Sequence, residues 1–267
     1  MVAANVGTAL ALTCLGATGT AVGGAMVVAQ PDMSFERLGF LQGVAAGLML
    51  AISVMDLLPG AMEAIGFGAA NLCFYVGVAF FALVVVAIPE PSLEGIIKED
   101  DSSKGSKKWR REVLFSGLIT ALGITLHNFP EGVSVYLASM KSSAMGASLA
   151  VAIALHNVPE GIAVALPVFF ATKSRWEGFK YAAVSGMAEP LAVVVMGLIF
   201  PVDLSPDLIQ AMLAGVGGIM AFLSFHELMP LAFQHAGRRP ATAAVFLGMA
   251  VMSGNLYLVD HWLGLSH

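Results

Sequence analysis

Eight long apolar stretches divide the chain, and this pattern limits its fold more than any other feature. A helix needs about 20 mostly apolar residues to cross a hydrocarbon core about 30 Å thick. The stretches cover residues 5–29, 38–60, 68–89, 113–139, 145–171, 179–200, 207–233 and 241–263. Polar and apolar residues do not alternate within them, as they would in the strands of a transmembrane barrel. The sequence therefore predicts an all-α polytopic membrane protein with eight transmembrane helices.

The composition fits a lipid environment and excludes several other classes of protein. Of the 267 residues, 58% are hydrophobic and 12% are charged, and the mean hydropathy is +0.83. Soluble domains carry about 25% charged residues, so the lipid bilayer is the expected partner. A net charge of −5 argues against binding of nucleic acid. Cys14 and Cys73 lie in apolar stretches without a C-x-x-C motif, which excludes a zinc finger and a disulfide scaffold.

The basic residues predict the orientation of the chain in the membrane. Twelve of the thirteen Lys and Arg residues lie at the connections that follow the first, third, fifth and seventh stretches, and only Lys141 lies on the other side. Because basic residues mark the cytosolic side, both termini should face away from the cytosol. Residues 90–112 are polar and charged, so we expect a disordered cytosolic loop there. Residues 1–267 should otherwise form a single transmembrane domain.

Ionisable residues lie inside the apolar stretches, where lipid would be the default neighbour. They are Asp56, Glu131, Glu160, Glu189, Glu227, His127, His156 and His226. A carboxylate at the centre of the bilayer costs about 2.5–3.5 kcal/mol on insertion scales, and no Lys or Arg lies at that depth to neutralise one. Protons, mutual hydrogen bonds or a bound cation must do so. One such residue could be structural, but eight together indicate a function.

The pattern H-N-x-P-E-G occurs twice, in the fourth and fifth stretches. It begins at His127 and again 29 positions later at His156. On a helix, residues three and four apart share a face, so Glu131 and Glu160 each lie below the histidine and asparagine of their own motif. A carboxylate flanked by an imidazole and an amide is suited to bridging two cations. Mixed His and carboxylate sites commonly hold Zn²⁺, while Fe²⁺, Mn²⁺ and Cd²⁺ remain open.

A second pattern, S-x-x-[DE]-L-[LM]-P-x-A, begins at Ser53 and at Ser224, in the second and seventh stretches. These two spans should run in opposite directions. The pattern therefore predicts an inverted repeat of spans 1–3 and spans 6–8, with spans 4 and 5 between them. Inverted repeats with interrupted helices are typical of alternating-access carriers whose binding site lies near the middle of the membrane.

These motifs resemble those of the ZIP (Zrt/Irt-like) metal transporters. The resemblance rests on H-N-F-P-E-G and H-N-V-P-E-G, on the V-M-D-L-L-P and F-H-E-L-M-P segments, and on G-M-A-E-P around Glu189, and it covers essentially the whole chain. The bacterial zinc-uptake branch and the plant zinc transporters assigned to the endoplasmic reticulum are the most similar. The resemblance implies a 3+2+3 arrangement of helices, an elevator-like movement of one bundle against the other, and metal transport toward the cytosol.

The resemblance also implies a binuclear site for transported Zn²⁺, with no prosthetic group. The first metal would be held by His127, Glu131, His156 and Glu160. The second would be held by Asn128, Asn157 and Glu189, with the two motif glutamates as bridges. Met55 or Asp56 would complete the first site, and His226 and Glu227 would be exit-path or auxiliary ligands. The membrane would be the endoplasmic reticulum in a plant, and the plasma or inner membrane otherwise.

Other interpretations use the same residues. A divalent-cation channel could line its pore with these ligands, and the sequence does not separate it from a carrier. An intramembrane zinc hydrolase is less favoured, because no H-E-x-x-H motif supplies a general base. Gly43 and Gly47 could serve helix packing inside one chain or contact a second copy, so a homodimer stays open. Residues 90–112 contain no histidine, in contrast to the histidine-rich loop of many ZIP relatives.

Overall fold

The computed structural model describes residues 2–29, 34–87, 125–200 and 204–263, and these are helical apart from short connections, with no strand among them. The helices are α1 (Val2–Ala29), α2 (Phe35–Ile52), α3 (Leu58–Ile65), α4 (Phe67–Ala87), α5 (125–141), α6 (Ser143–Thr172), α7 (Arg175–Gly186), α8 (Ala188–Ile199), α9 (Pro206–Leu223), α10 (Met229–Ala236) and α11 (Arg238–Leu263). The predicted all-α polytopic architecture is confirmed.

Seven helical segments of the described residues are long and apolar enough to cross a membrane. The predicted fourth span, 113–139, corresponds to α5, of which the structure describes residues 125–141. The count of eight therefore stays a prediction. The loop predicted at residues 90–112 lies outside the described residues, and so does the C-terminal end from residue 264.

Spans 2 and 7 share an interrupted construction. In each, an 18-residue helix leads into a five-residue π-helical turn, Ser53–Leu57 or Ser224–Leu228, and then into an eight-residue helix. The first serine of each turn donates its hydroxyl to the carbonyl four residues earlier, at 2.8 Å and 2.9 Å. Both spans end at a glycine with positive φ, Gly66 at 84° and Gly237 at 80°, a conformation that glycine adopts without strain. Equivalent positions are 171 residues apart throughout, as in 53 and 224.

The two interrupted spans run antiparallel. Gly39, near the start of α2, packs against Ala236 at the end of α10, while Ser53, just after α2, packs against Gly217 in α9. The start of span 2 therefore lies beside the end of span 7, so the two spans run in opposite directions. Spans 2 and 7 are therefore alike in construction and opposite in direction, while the repeat of spans 1–3 in spans 6–8 stays a prediction.

Small residues let several helices touch through their backbones. Gly43 lies against Ala244 and Gly47 against Val245, so this pair packs α2 onto α11 within the chain. It gives no support for a homodimer. In the same way α1 approaches α6, where Gly23 lies against the carbonyl of Val158. Close contact through small residues is how membrane helices associate without a hydrophobic driving force between them.

Candidate metal centre

The residues of the two H-N-x-P-E-G motifs are buried together between α5 and α6. No more than 2% of each is exposed for His127, Asn128, Glu131, His156, Asn157 and Glu160. Neither Pro130 nor Pro159 ends its helix, so the side chains three and four residues apart stay on one face of each helix. The helical face that the sequence predicts thus points into the protein and not toward lipid.

Each motif histidine meets the glutamate of the other motif. His156 Nε2 lies 2.8 Å from Glu131 Oε1, and His127 Nε2 lies 3.4 Å from Glu160 Oε1. The two pairs are reciprocal, as expected for two equal motifs on facing helices. One nitrogen or oxygen each from His127, Glu131 and Glu160 lies within 4.8 Å of the others, which is close enough for a single metal ion to bind all three.

The hydrogen bonding of His156 favours a cation between it and Glu131. The Nδ1 atom of His156 lies 3.2 Å from the Ala152 carbonyl oxygen, to which it donates. A neutral ring that donates from Nδ1 turns the lone pair of Nε2 toward the glutamate oxygen. Two acceptor atoms attract one another only through a proton or a metal ion. Metal-binding histidines commonly hold their second nitrogen against a backbone carbonyl in this way.

Several buried polar atoms of the centre lack a hydrogen-bond partner within the part of the chain that the structure describes. They are Glu131 Oε2, Asn157 Oδ1 and Glu189 Oε2. A buried polar group without a partner is costly. Carboxylate and amide oxygens with free lone pairs, beside two histidines and with no Lys or Arg paired to them among the described residues, are a donor set suited to a divalent cation.

Glu189 joins the centre from the start of α8. Its side chain is fully buried, and Asn157 donates its amide both to Glu189 Oε1 at 2.5 Å and to the Gly16 carbonyl at 3.1 Å. A Cβ atom at Gly16 would overlap the Glu189 carboxylate. Asn128 donates to the Ser185 carbonyl at 3.5 Å. These contacts place Glu189 and Asn157 side by side, next to the reciprocal histidine–glutamate pairs.

Gly16 borders the centre although none of the sequence motifs includes it. Its neighbours Gly19 and Gly23 also lie against α6, which leaves α1 in direct backbone contact with the motif helix. The spacing G-x-x-G-x-x-x-G in the middle of the first stretch could have indicated this contact. Small residues at such spacing mark a helix face that lies close to another helix.

The residues of the two π turns lie at different distances from the buried motif residues. Glu227 Oε2 lies 3.5 Å from His127 Nδ1, so this acid borders the centre. His226 is exposed, and its ring stacks on Phe222 with the ring centroids 5.1 Å apart. Met55 is 50% exposed and its sulfur accepts a hydrogen bond from Ser253 at 3.5 Å. Asp56 is partly buried. The structure therefore brings Glu227 to the centre and leaves Met55 and His226 turned away from it.

Known proteins similar to this chain include several that are named zinc transporters. The family model described as ZIP zinc transporter matches residues 90–255. The zinc transporter ZTP29 of Arabidopsis thaliana is 51% identical over 260 residues, covering 94% of each chain. The zinc transporter ZupT of Chlorobium phaeovibrioides is 36% identical, covering 94% of this chain and 97% of its own length. Protein zntB of Dictyostelium discoideum is 36% identical, covering 98% of this chain and 85% of its own.

Proposed function

Because this chain belongs to the ZIP zinc transporter family, we propose that it carries Zn²⁺ across a membrane toward the cytosol. The family is one of transporters and not of enzymes, which removes the zinc hydrolase from consideration. The observation that carries the proposal is the buried group of His127, Glu131 and Glu160, whose ligand atoms lie within 4.8 Å of one another. Among the described residues no Lys or Arg pairs with these carboxylates, so we expect a bound cation to neutralise them.

One zinc ion binds His127, Glu131, His156 and Glu160. Two imidazoles and two carboxylates are a common tetrahedral ligand set for Zn²⁺. The reciprocal pairing supports this site, because each histidine already faces a carboxylate at 2.8 Å or 3.4 Å. Binding replaces those contacts by bonds to the ion without moving the helices far.

A second metal ion binds beside the first, to Asn157, Glu189 and Asn128, with Glu131 and Glu160 as bridges. The atoms Asn157 Oδ1 and Glu189 Oε2, which are buried without a hydrogen-bond partner in the described chain, support this second position. Amide and carboxylate oxygens are harder ligands than imidazole. The second position should therefore accept Mn²⁺ or Fe²⁺ more readily than the first.

The residues of the π turns act as auxiliary ligands on the path to and from the centre. Glu227 has the strongest support, since it lies 3.5 Å from His127. Asp56 occupies the equivalent position in the other turn. Met55 and His226 can contribute only after their turns rearrange, because one is 50% exposed and the other stacks on Phe222.

Thiol labelling tests the orientation of the chain in its membrane. We propose that both termini lie outside the cytosol, in the endoplasmic reticulum membrane if the source is a plant and in the plasma or inner membrane otherwise. Cysteines introduced by Ser102→Cys and Ser266→Cys, in a Cys14→Ser, Cys73→Ser background, should react with an impermeant thiol reagent from opposite sides. Reaction of both from one side would contradict the five spans predicted between residues 102 and 266, and with them the eight-span model.

Uptake of zinc-65 by proteoliposomes tests the function. The wild-type protein should take up zinc, whereas the Glu131→Gln, Glu160→Gln double variant should match protein-free vesicles. Vesicles preloaded with unlabelled zinc separate the two transport mechanisms. A carrier takes up zinc-65 faster when zinc on the far side returns its binding site, while a channel does not. Competition by Fe²⁺, Mn²⁺ and Cd²⁺ in the same assay ranks the cargo.

A further inference from the structure

The metal centre and the two π turns obey the same internal symmetry. Residues of α5 correspond to residues of α6, as His127 does to His156, while residues of span 2 correspond to residues of span 7. The turns match in burial as well as in shape: a buried serine, two exposed residues, a partly buried acid and a buried leucine follow one another in both. By this correspondence Asp56 is the counterpart of Glu227.

One contact breaks the symmetry. The Nε2 atoms of both motif histidines face the glutamate of the opposite motif. The Nδ1 atoms differ, because that of His127 lies 3.5 Å from Glu227, whereas that of His156 lies 3.2 Å from the carbonyl of Ala152 in its own helix. Full symmetry would put Asp56 where the Ala152 carbonyl is.

Inverted repeats relate the two ends of a transport cycle. In such carriers one repeat or bundle moves against the other around a fixed site. Because the two halves are built alike, we infer that each half takes up the arrangement of the other half when the carrier opens to the opposite side. The asymmetric contact must then change places too. We propose that in the opposite-facing state Asp56 contacts His156 Nδ1 and Glu227 releases His127, so that the two acids stabilise the two states in turn. This inference rests on the proposed transport function and names two positioning residues within it.

The π turns make the exchange feasible. A π turn holds one more residue than the α-helical turn it replaces, and such turns are frequent at functional sites. A small change of hydrogen-bond register within Ser53–Leu57 rotates Asp56 about the helix axis while the flanking helices α2 and α3 stay in place. A conformational equilibrium shifts only through interactions that differ between its states, and the exchanged histidine contact is such an interaction.

Cysteine cross-linking tests the contact directly and needs no zinc transport. In a Cys14→Ser, Cys73→Ser background, the pair His127→Cys with Glu227→Cys reports the contact of this structure. The pair His156→Cys with Asp56→Cys reports the proposed one. Both pairs should cross-link in the purified full-length protein with a short thiol-specific reagent. Cross-linking of the first pair without the second would overturn the proposal.

The residues beside the acids provide the matched controls. Val54→Cys with His156→Cys and Phe225→Cys with His127→Cys place a thiol two positions away, on side chains that are exposed. Neither control pair should cross-link. If a control pair reacts as fast as the acid pair, proximity of the whole turn and not contact of the acid explains the result, and the proposal fails.

A second measurement reads the populations of the two states. The half-saturating zinc concentration on a given face rises when the state open to that face is less populated. Asp56→Asn and Glu227→Gln should therefore shift the half-saturating concentrations on the two faces in opposite directions, by about fivefold each. The double variant should return their ratio to the wild-type value.

The symmetric pair Glu36→Gln and Asp207→Asn is the control, since both acids are exposed in the first turns of α2 and α9. It should leave both faces unchanged. Loss of uptake on both faces in Asp56→Asn and in Glu227→Gln alike would show that the acids serve one state only. Absence of zinc uptake by the wild-type protein would refute the proposed function and leave the cross-linking test intact.

Discussion

The two repeated motifs occupy different surroundings, although each occurs twice in the chain. The H-N-x-P-E-G motifs lie within continuous helices, their His, Asn and Glu residues are buried, and each histidine faces the glutamate of the other motif. The π turns are partly exposed and differ in chemistry, with Met55 where the other turn has His226. The comparison teaches that buried residues which contact the opposite motif are the same in both copies, whereas exposed residues of the turns differ.

Proline also acts differently in the two motifs. Pro159 lies inside the long helix α6, which continues past it. Pro59 and Pro230 instead lie in the first turn of the short helices α3 and α10. Proline is tolerated in a first turn because its missing N–H has no helical partner there. The π turn before each of these prolines is therefore an end of one helix and a start of the next, which makes it the more adaptable part of the span.

Substitutions in the buried motifs should reduce zinc transport the most. Glu131→Gln and Glu160→Gln remove a charge with little change of shape, and each should reduce zinc-65 uptake to background because no other group at that depth can replace the carboxylate. Glu63→Gln, on the exposed face of α3, is the matched control and should transport normally. Normal uptake by the double variant at equal membrane content would remove the site from these helices.

Protons should compete with zinc for the same buried groups. A carboxylate or an imidazole must lose its proton before it binds a metal ion, so protons and zinc compete for the same atoms. Zinc affinity should therefore fall as the pH decreases, and binding should release protons. Calorimetry in buffers of different ionisation enthalpy measures the release. Equal apparent enthalpies in all buffers would mean that the empty centre is already ionised.

The two motif asparagines should differ. Asn157 holds Glu189 at 2.5 Å and the Gly16 carbonyl at 3.1 Å, while Asn128 lies 3.5 Å from the Ser185 carbonyl. Asn157→Ala should weaken zinc binding about 10- to 100-fold, as loss of a group that orients a metal ligand does, and Asn128→Ala should weaken it less. Titration of both purified variants with zinc gives the order. The reverse order would place the second metal nearer α5.

Changes in the outward side chains of the π turns should be milder. Met55→Ala and His226→Ala alter residues that the structure turns away from the centre. Each should change the half-saturating zinc concentration less than tenfold, which is less than about 1.4 kcal/mol. A loss as complete as that of Glu131→Gln would show that these turns rearrange to supply a permanent ligand.

The smallest effect should be equal in the two turns. Ser53→Ala and Ser224→Ala each remove one buried hydroxyl that donates to a carbonyl at 2.8 Å or 2.9 Å. Each should lower the free energy of unfolding by about 1 kcal/mol, seen as a small fall in Tm of the purified protein. Unequal falls in Tm would mean that the two serine hydrogen bonds stabilise the protein by different amounts.

Most of the fold could be predicted from the sequence because bilayer thickness sets the length of every span. The second stretch, predicted at 38–60, is found as one span over Glu36–Ile65. The π turn inside it could not be foreseen, because average hydropathy does not report hydrogen-bond register. The repeated pattern from Ser53 nevertheless marked the same residues.

The centre was predictable only in part. Helical spacing puts Glu131 below His127, but the pairing of Glu131 with His156 depends on how two helices face each other. The repetition of one motif in neighbouring spans was the only clue to that contact. The bond from Asn157 to the Gly16 carbonyl joins positions 141 residues apart. No local pattern contains such a contact, since it exists only after α1 has packed against α6.

In the part of the chain that the structure describes, no Lys or Arg pairs with the acids of the centre, and this has an electrical consequence. If two protons leave the carboxylates for each Zn²⁺ that enters, the loaded and empty forms carry the same charge and the membrane potential does no work on either. If fewer protons leave, the loaded form carries more positive charge than the empty form, and this extra charge crosses the membrane potential. Each unit of charge is then worth about 2.3 kcal/mol per 100 mV. The voltage dependence of zinc flux therefore counts the protons that the buried acids hold between one metal ion and the next.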